Sequence, residues 1–255
     1  RWRNAPRPAR HLPKMSVPKS RAGRVCCRAS VSDAWFLAAF HRNALQSRFA
    51  FRSASHNLSR VQDSWEIVAS ESRFKDKNVE VVTEEIKTPD RSKPRSWTIV
   101  RRKQAVVIAP MTAEGKLILI CQERIPIRAA IWEVPAGQID DESESEPDEI
   151  AAVALRELRE ETGFELAEGG DLIPLGDYFT SPGFTDERGY FFLARPVREC
   201  AAGHSRDESE SILDCRAFTT EELRGMIARN EIRDANTLAI CARLLARGLL
   251  SFGKV

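Results

Sequence analysis

The sequence predicts an α+β fold built on a mixed sheet, and three observations carry that prediction. Strand-like segments rich in β-branched and aromatic residues run from Ser64 to about Gly137. A single helix-like stretch follows, and after it come further strand-like segments. Two helical stretches close the chain. Strands gathered into runs, rather than alternating strictly with helices, argue against a doubly wound parallel sheet.

The first segments are Trp65–Glu71, Asn78–Ile86 and Ser96–Arg102, separated by polar and Pro-containing turns. Gln104–Ala109 and Lys116–Gln122 are shorter apolar runs joined around Glu114-Gly115, which is a hairpin pattern. Trp132–Gly137 reads as a strand stopped by Pro and Gly. A helix is predicted from about Asp148 to Thr162, with Gly163 where helices commonly turn into the left-handed region. Leu172–Phe179 and Tyr190–Val197 are further strands joined by a loop over Ser181–Arg188, and Ile212–Phe218 is one more. Thr219 and Glu222 have the spacing of a capping box and open a helix to about Arg229. Asp234 caps a last helix running towards Gly248. Three parts result: a basic extension over 1–62, a small N-terminal β segment over 63–102, and a main domain over 103–255.

The net charge of +2 hides an imbalance, because residues 1–62 sum to +12 and the rest to −10. A body this acidic is not expected to bind nucleic acid or a membrane surface. The longest apolar run of the extension, Ala34–Phe40, is far too short to span a bilayer. Basic, Ser-rich and acid-poor, the extension is expected to be disordered and to serve as an organelle transit peptide absent from the mature protein. If it is genuine, the address is a plastid or mitochondrion; otherwise it is the cytoplasm. Residues 1–14 precede the first methionine, Met15.

Six cysteines show no C-x-x-C outside or inside the extension, so neither a zinc site nor a disulfide framework is expected. Of four histidines, only His204 lies beyond residue 62. Ser-His and Cys-His mechanisms therefore have almost nothing to work with. Any catalysis must rest on carboxylates and a hard cation, or be absent.

The predicted central helix carries those carboxylates. In helical projection, Ile150, Val153, Ala154, Glu157, Glu160 and Glu161 all fall on one side of the cylinder. Three acids thus continue the apolar stripe that should pack inward. Glu160 and Glu161 also sit in the last turn, where the helix dipole disfavours anions. Like charges about 6 Å apart repel by roughly 3 kcal/mol per pair at an effective dielectric near 20. Arg156, four residues before Glu160, offsets part of this. Oxygen ligands without His or Cys suit Mg²⁺ first and Mn²⁺ second.

Arg156-Glu157-Leu158-Arg159-Glu160-Glu161-Thr162-Gly163-Phe164 matches R-E-U-x-E-E-x-G-U, with U apolar, and so resembles the core of the Nudix signature. The preceding Trp132-Glu133-Val134-Pro135-Ala136-Gly137 resembles the W-E-x-P-A-G of the ADP-ribose pyrophosphatase branch. The resemblance covers roughly Ser64 to the C-terminus. It implies a Nudix α/β/α sandwich, with Glu157, Glu160 and Glu161 as metal ligands, Gly137 beside them in the metal site, and Arg156 orienting the cluster. It also implies an Mg²⁺-dependent cut of the diphosphate in ADP-ribose or another ADP-sugar. One departure is a lengthened loop over Gln138–Pro147, where Glu142, Glu144, Glu146 or Asp148 stands in for the signature's first Glu.

Within Ser181–Arg188, the Ser-Pro-Gly-x-x-x-Glu pattern resembles the loop of the same branch that holds a catalytic Glu. That makes Glu187 the expected general base, with Asp186 second. Arg124 and Arg128, just before the signature loop, are expected to hold phosphate or ribose, since Arg donates paired hydrogen bonds. Trp65, Phe74 and Trp97 are stacking candidates for adenine, although strand aromatics are more often core. In the family the matching N-terminal segment packs on a second subunit, so a two-fold homodimer is expected. The competing readings are a Nudix hydrolase of a dinucleotide or coenzyme A derivative, and a Nudix-like regulator that binds a nucleotide sugar without cutting it.

Overall fold

The computed structural model describes residues 65–91, 93–139, 146–201 and 211–253. The expected transit peptide over 1–62, and Glu142 and Glu144 in the lengthened loop, lie outside the described residues.

Among the described residues, ten strands form two sheets. The first is a three-stranded antiparallel sheet of β1 (Glu66–Lys75), β2 (Val79–Lys87) and β3 (Arg95–Arg102) in that order. The second contains β4 (Ala105–Thr112), β5 (Leu117–Arg124), β6 (Ala129–Glu133), β7 (Ala136–Gln138), β8 (Phe164–Phe179), β9 (Arg188–Glu199) and β10 (Ile212–Phe218). Its order is β10-β5-β4-β9-β8, with β6 paired to β5 and β7 to β4. The β4–β9 pair is parallel and its neighbours are antiparallel, which makes the sheet mixed. The helices of the described residues are α1 (Pro147–Thr162), α2 (Thr220–Ala228) and α3 (Ala235–Ala246). None of the described helices is long and apolar enough to cross a membrane.

Alternation along β4 builds two cores. Val106 and Ile108 point to one face, where Ile118, Ile150, Ala154 and Leu158 cover them. Val107, Ala109 and Met111 point to the other, against Leu223, Met226, Ile240, Cys241 and Leu244. Successive side chains of a strand face opposite ways, so a central strand buried on both sides reads as a continuous apolar run. With α1 on one face and α2 and α3 on the other, the architecture is the α/β/α sandwich.

The helix ends obey the local chemistry read from the sequence. Thr219 Oγ1 accepts from Glu222 N while Glu222 accepts from Thr219 N, and Asp234 accepts from Thr237 N. Gly163 closes α1 at φ 75°. At the start of α1, Glu149 accepts from Glu146 N at 3.2 Å, so position 149 braces the turn.

Two elements differ from expectation. The single strand over 132–137 is two strands, β6 and β7, with different partners. Pro135 lacks an N–H and interrupts the ladder; its carbonyl instead accepts from Ile108 N at 2.9 Å. The expected strand from Leu172 begins at Phe164, with a register shift between Leu166 and Asp171. The core reading of the N-terminal aromatics also fails: Trp65, Phe74 and Trp97 are each more than half exposed. Both faces of β1 are open along its length, because no helix of the described residues covers that small sheet.

The small sheet joins the main one through the loop before β9. Val100 N donates to Phe184 O at 2.8 Å, and Trp97 Nε1 donates to Gly183 O at 3.1 Å.

Candidate active site

The acidic end of α1 faces the turn into β7. Glu157 and Glu161 are 5% and 1% exposed, whereas the Glu160 side chain keeps 32% of its surface. The inward face expected from the periodicity therefore holds for two of the acids and only in part for the third. Arg156 spans two of them, with Nη2 at 2.7 Å from Glu157 Oε1 and Nη1 at 2.7 Å from Glu160 Oε2. Glu161 Oε2 accepts from Ala136 N at 2.9 Å. A Cβ at Gly137 would fall 2.0 Å from Cδ of Glu157, so only glycine fits there.

Glu187 is held in a second group. Thr180 Oγ1 donates to its Oε2 at 2.8 Å, and Arg102 Nε lies 3.4 Å from its Oε1. The alternative base, Asp186, accepts instead from Arg102 N at 3.2 Å. Backbone registers set the two groups on one end of the sheet. Ala105–Val107 of β4 pair on one side with Ala136–Gln138 and on the other with Gly189–Phe191. Two strand spacings, about 10 Å, thus separate the backbone at Gly137 from the start of β9 that follows Glu187.

Beyond β9, on the α3 side of the sheet, lies a partly buried polar pair. Tyr178 stacks on Phe191 with centroids 4.0 Å apart and donates to Asn236 Oδ1 at 2.7 Å. Burial, then Asp234 and Glu187, holds its phenol well above the usual range.

The arginines expected to meet substrate are placed differently from each other. Arg124 Nε donates to both oxygens of the buried Glu133, at 2.9 and 3.2 Å. Arg128 is exposed and left-handed, at φ 53°, after a 3₁₀ turn over Ile125–Ile127. Trp65 stands exposed at the edge of the small sheet. Neither Arg128 nor Trp65 shares a side-chain hydrogen bond with the acidic groups. Thr180, Arg102 and Glu133 were not singled out from sequence. Only Glu133 left a signal there, as a charge beside Trp132 in a strand pattern.

The residues around Gly137 fit a hard divalent cation by their chemistry: carboxylate oxygens from the last turns of one helix packed against a glycine backbone. No three Asp, Glu, His or Cys side chains among the described residues already converge on one point. Arg156 draws Glu157 and Glu160 to itself, while Ala136 N–H holds Glu161.

A sandwich of this order, with acids buried at the end of its central helix, defines the class as an α/β/α hydrolase. The chain belongs to the NUDIX domain family, whose model matches residues 101–239. It is 32% identical over 170 residues to an ADP-ribose pyrophosphatase of Bacillus subtilis, covering 67% of this chain and 86% of the relative. Over 173 residues it is 30% identical to a methanol dehydrogenase activator of Bacillus methanolicus, covering 67% and 87%. An ADP-ribose pyrophosphatase of Mycobacterium tuberculosis is 32% identical over 146 residues, or 57% of this chain and 66% of that protein. Among solved structures, an ADP compounds hydrolase superposes with a TM-score of 0.59 at 19% identity, over 72% of this chain and 96% of the other. That last likeness is one of fold.

Proposed function

We propose that this chain hydrolyses the diphosphate of ADP-ribose or a related ADP-sugar to AMP and a sugar phosphate, with Mg²⁺ as cofactor and Mn²⁺ as a substitute. The observation that carries the reading is the burial of Glu157 and Glu161 against the backbone of Ala136 and Gly137. Two of the relatives just named, both ADP-ribose pyrophosphatases, support the choice of substrate. Glu157, Glu160 and Glu161, with the Gly137 backbone beside them, would hold the cation. When bound it neutralises the diphosphate and positions water.

The rest is done by the protein's own groups. Arg156 spaces the carboxylates, and Glu187 takes the proton of the attacking water at its carboxylate. Thr180 and Arg102 fix the direction of that carboxylate. Arg124 and Arg128 receive the phosphates and ribose, and Trp65 or Trp97 stacks on the base. Incubating the full chain with Mg²⁺ and a panel of nucleoside diphosphate compounds tests this. AMP release fastest from ADP-sugars is expected. Preference for a dinucleotide or a coenzyme A derivative would replace the substrate, and tight binding without cleavage would make the chain a regulator.

The open edge of the small sheet supports a two-fold homodimer, since Trp65, Ile67, Val68 and Phe74 remain exposed on or beside β1. Light scattering at micromolar concentration should give twice the chain mass. A fully active monomer would end that proposal. Residues 1–62 are proposed as the organelle-directing part, to be checked by sequencing the N-terminus of the native protein.

A further inference from the structure

The face of the sheet that α1 covers changes character at one edge. Along β5, Ile118 joins the apolar core beneath α1, and alternation puts Ile120, Gln122 and Arg124 on the same face. Across the ladder, Gln122 pairs with Ile131 and Ile120 with Glu133. Two of these polar side chains are deeply buried: Gln122 is 7% exposed and Glu133 is 2%. Gln122 Oε1 is the one buried side-chain oxygen or nitrogen among the described residues with no hydrogen-bond partner. A face meant only to be covered by a helix would be apolar, because burying such groups is costly.

Glu133 is tied on both sides. Its carboxylate takes both of its hydrogen bonds from Arg124 through Nε, so the terminal Nη nitrogens of Arg124 lie outside those two bonds. The Arg124 side chain keeps 43% of its surface. The next residue, Val134, donates its N–H to Thr237 Oγ1 at 3.0 Å, and Thr237 is in turn bound by the α3 cap Asp234. Three residues after Glu133, Ala136 N–H holds Glu161, and then Gly137 packs under Glu157. Five consecutive residues therefore connect the Arg124 guanidinium to the acids of α1.

We infer that Glu133 is a positioning residue, which acts through Arg124 by fixing that guanidinium at a set place relative to the α1 carboxylates, where its Nη nitrogens meet a diphosphate. This deepens the reading above and rests on its assignment of Arg124 to the phosphates. An Arg without such a partner would lose side-chain freedom only on binding, at a cost in affinity. A merely structural Glu133 has a poor rationale. Burial pushes its carboxyl up to about 7 despite the pull of Arg124, so the ion pair is held against a desolvation penalty.

The test compares Glu133→Gln, Arg124→Ala and the double variant in the full chain. Binding of inorganic pyrophosphate with Mg²⁺ is measured by calorimetry, and KM and kcat for ADP-ribose by AMP release. Glu133→Gln should weaken pyrophosphate about tenfold, the scale of losing an orienting partner. It should raise KM by a similar factor with a smaller fall in kcat, and without lowering Tm. In the Arg124→Ala background it should add nothing. Unchanged pyrophosphate binding, a full additive effect, or no pyrophosphate binding by the native chain would each overturn the inference. Coupled loss of pyrophosphate binding without ADP-ribose cleavage would leave the inference standing and sink the proposed activity instead.

Discussion

Gly137 and Glu157 interlock: the space a Cβ would take at residue 137 is filled by the carboxyl end of residue 157, with Cδ 2.0 Å and Oε1 2.2 Å from that point. Gly137→Ala must therefore push Glu157 aside. Overpacking of this kind costs about 1–3 kcal/mol, and misplacement of a reacting group by about 1 Å can cost a hundredfold in rate. The variant should be folded, lower in Tm and about a hundredfold slower. Normal turnover would remove Gly137 from the site.

Glu160→Gln and Glu161→Gln should each slow hydrolysis by at least about a hundredfold. Without metal, neither variant should be less stable than the parent. In Glu161→Gln the amide oxygen can still accept from Ala136 N, and loss of a negative charge relieves repulsion within the cluster. Thermal melts in EDTA, set beside rates in Mg²⁺, check both halves. Near-normal turnover in both variants would sink the metal-site assignment.

Stability should depend on pH through Glu133. Its folded-state pKa is raised from 4.5 to about 7, chiefly by burial. The folded form therefore binds the proton more tightly than the unfolded form does. That contribution is fully present below about pH 4.5 and is lost as pH rises towards and through 7. The full shift corresponds to about 3 kcal/mol at most. Glu133→Gln should gain stability relative to the parent between pH 5 and pH 8, read from urea midpoints. A constant difference across that range would contradict the assignment.

Cys241 should resist alkylation in the native state. Burial in the core beside Leu244 and Ile240 pushes its thiol up to about 12, and the thiolate is the reactive form. Cys200 and Cys215 are partly exposed and should label first. Native labelling of Cys241 at neutral pH would show that the α3 layer opens.

Much of this was legible in the chain because it is written locally. The caps at Thr219 and Asp234 and the left-handed Gly163 each depend on residues a few positions apart. The inward acids of α1 follow from helical spacing alone. What depends on distant pairing was not legible. That Trp132–Gly137 serves two partner strands is decided by β4 and β5, and the Thr180 and Arg102 contacts to Glu187 come from three separate segments. The N-terminal aromatics misled for the same reason: alternation shows which residues share a face, not whether anything covers it.

The central strand β4 also acts as a ruler. The glycine turn and the loop carrying Glu187 are both registered on the same three residues, Ala105–Val107. Their separation is thereby set by main-chain ladders that ignore side-chain identity. Length added after Gln138 falls outside that gauge, so an enlarged signature loop leaves the spacing between the Gly137 turn and the Glu187 loop untouched. Loops on this scaffold are free to change length and sequence while that gap between the two segments stays constant.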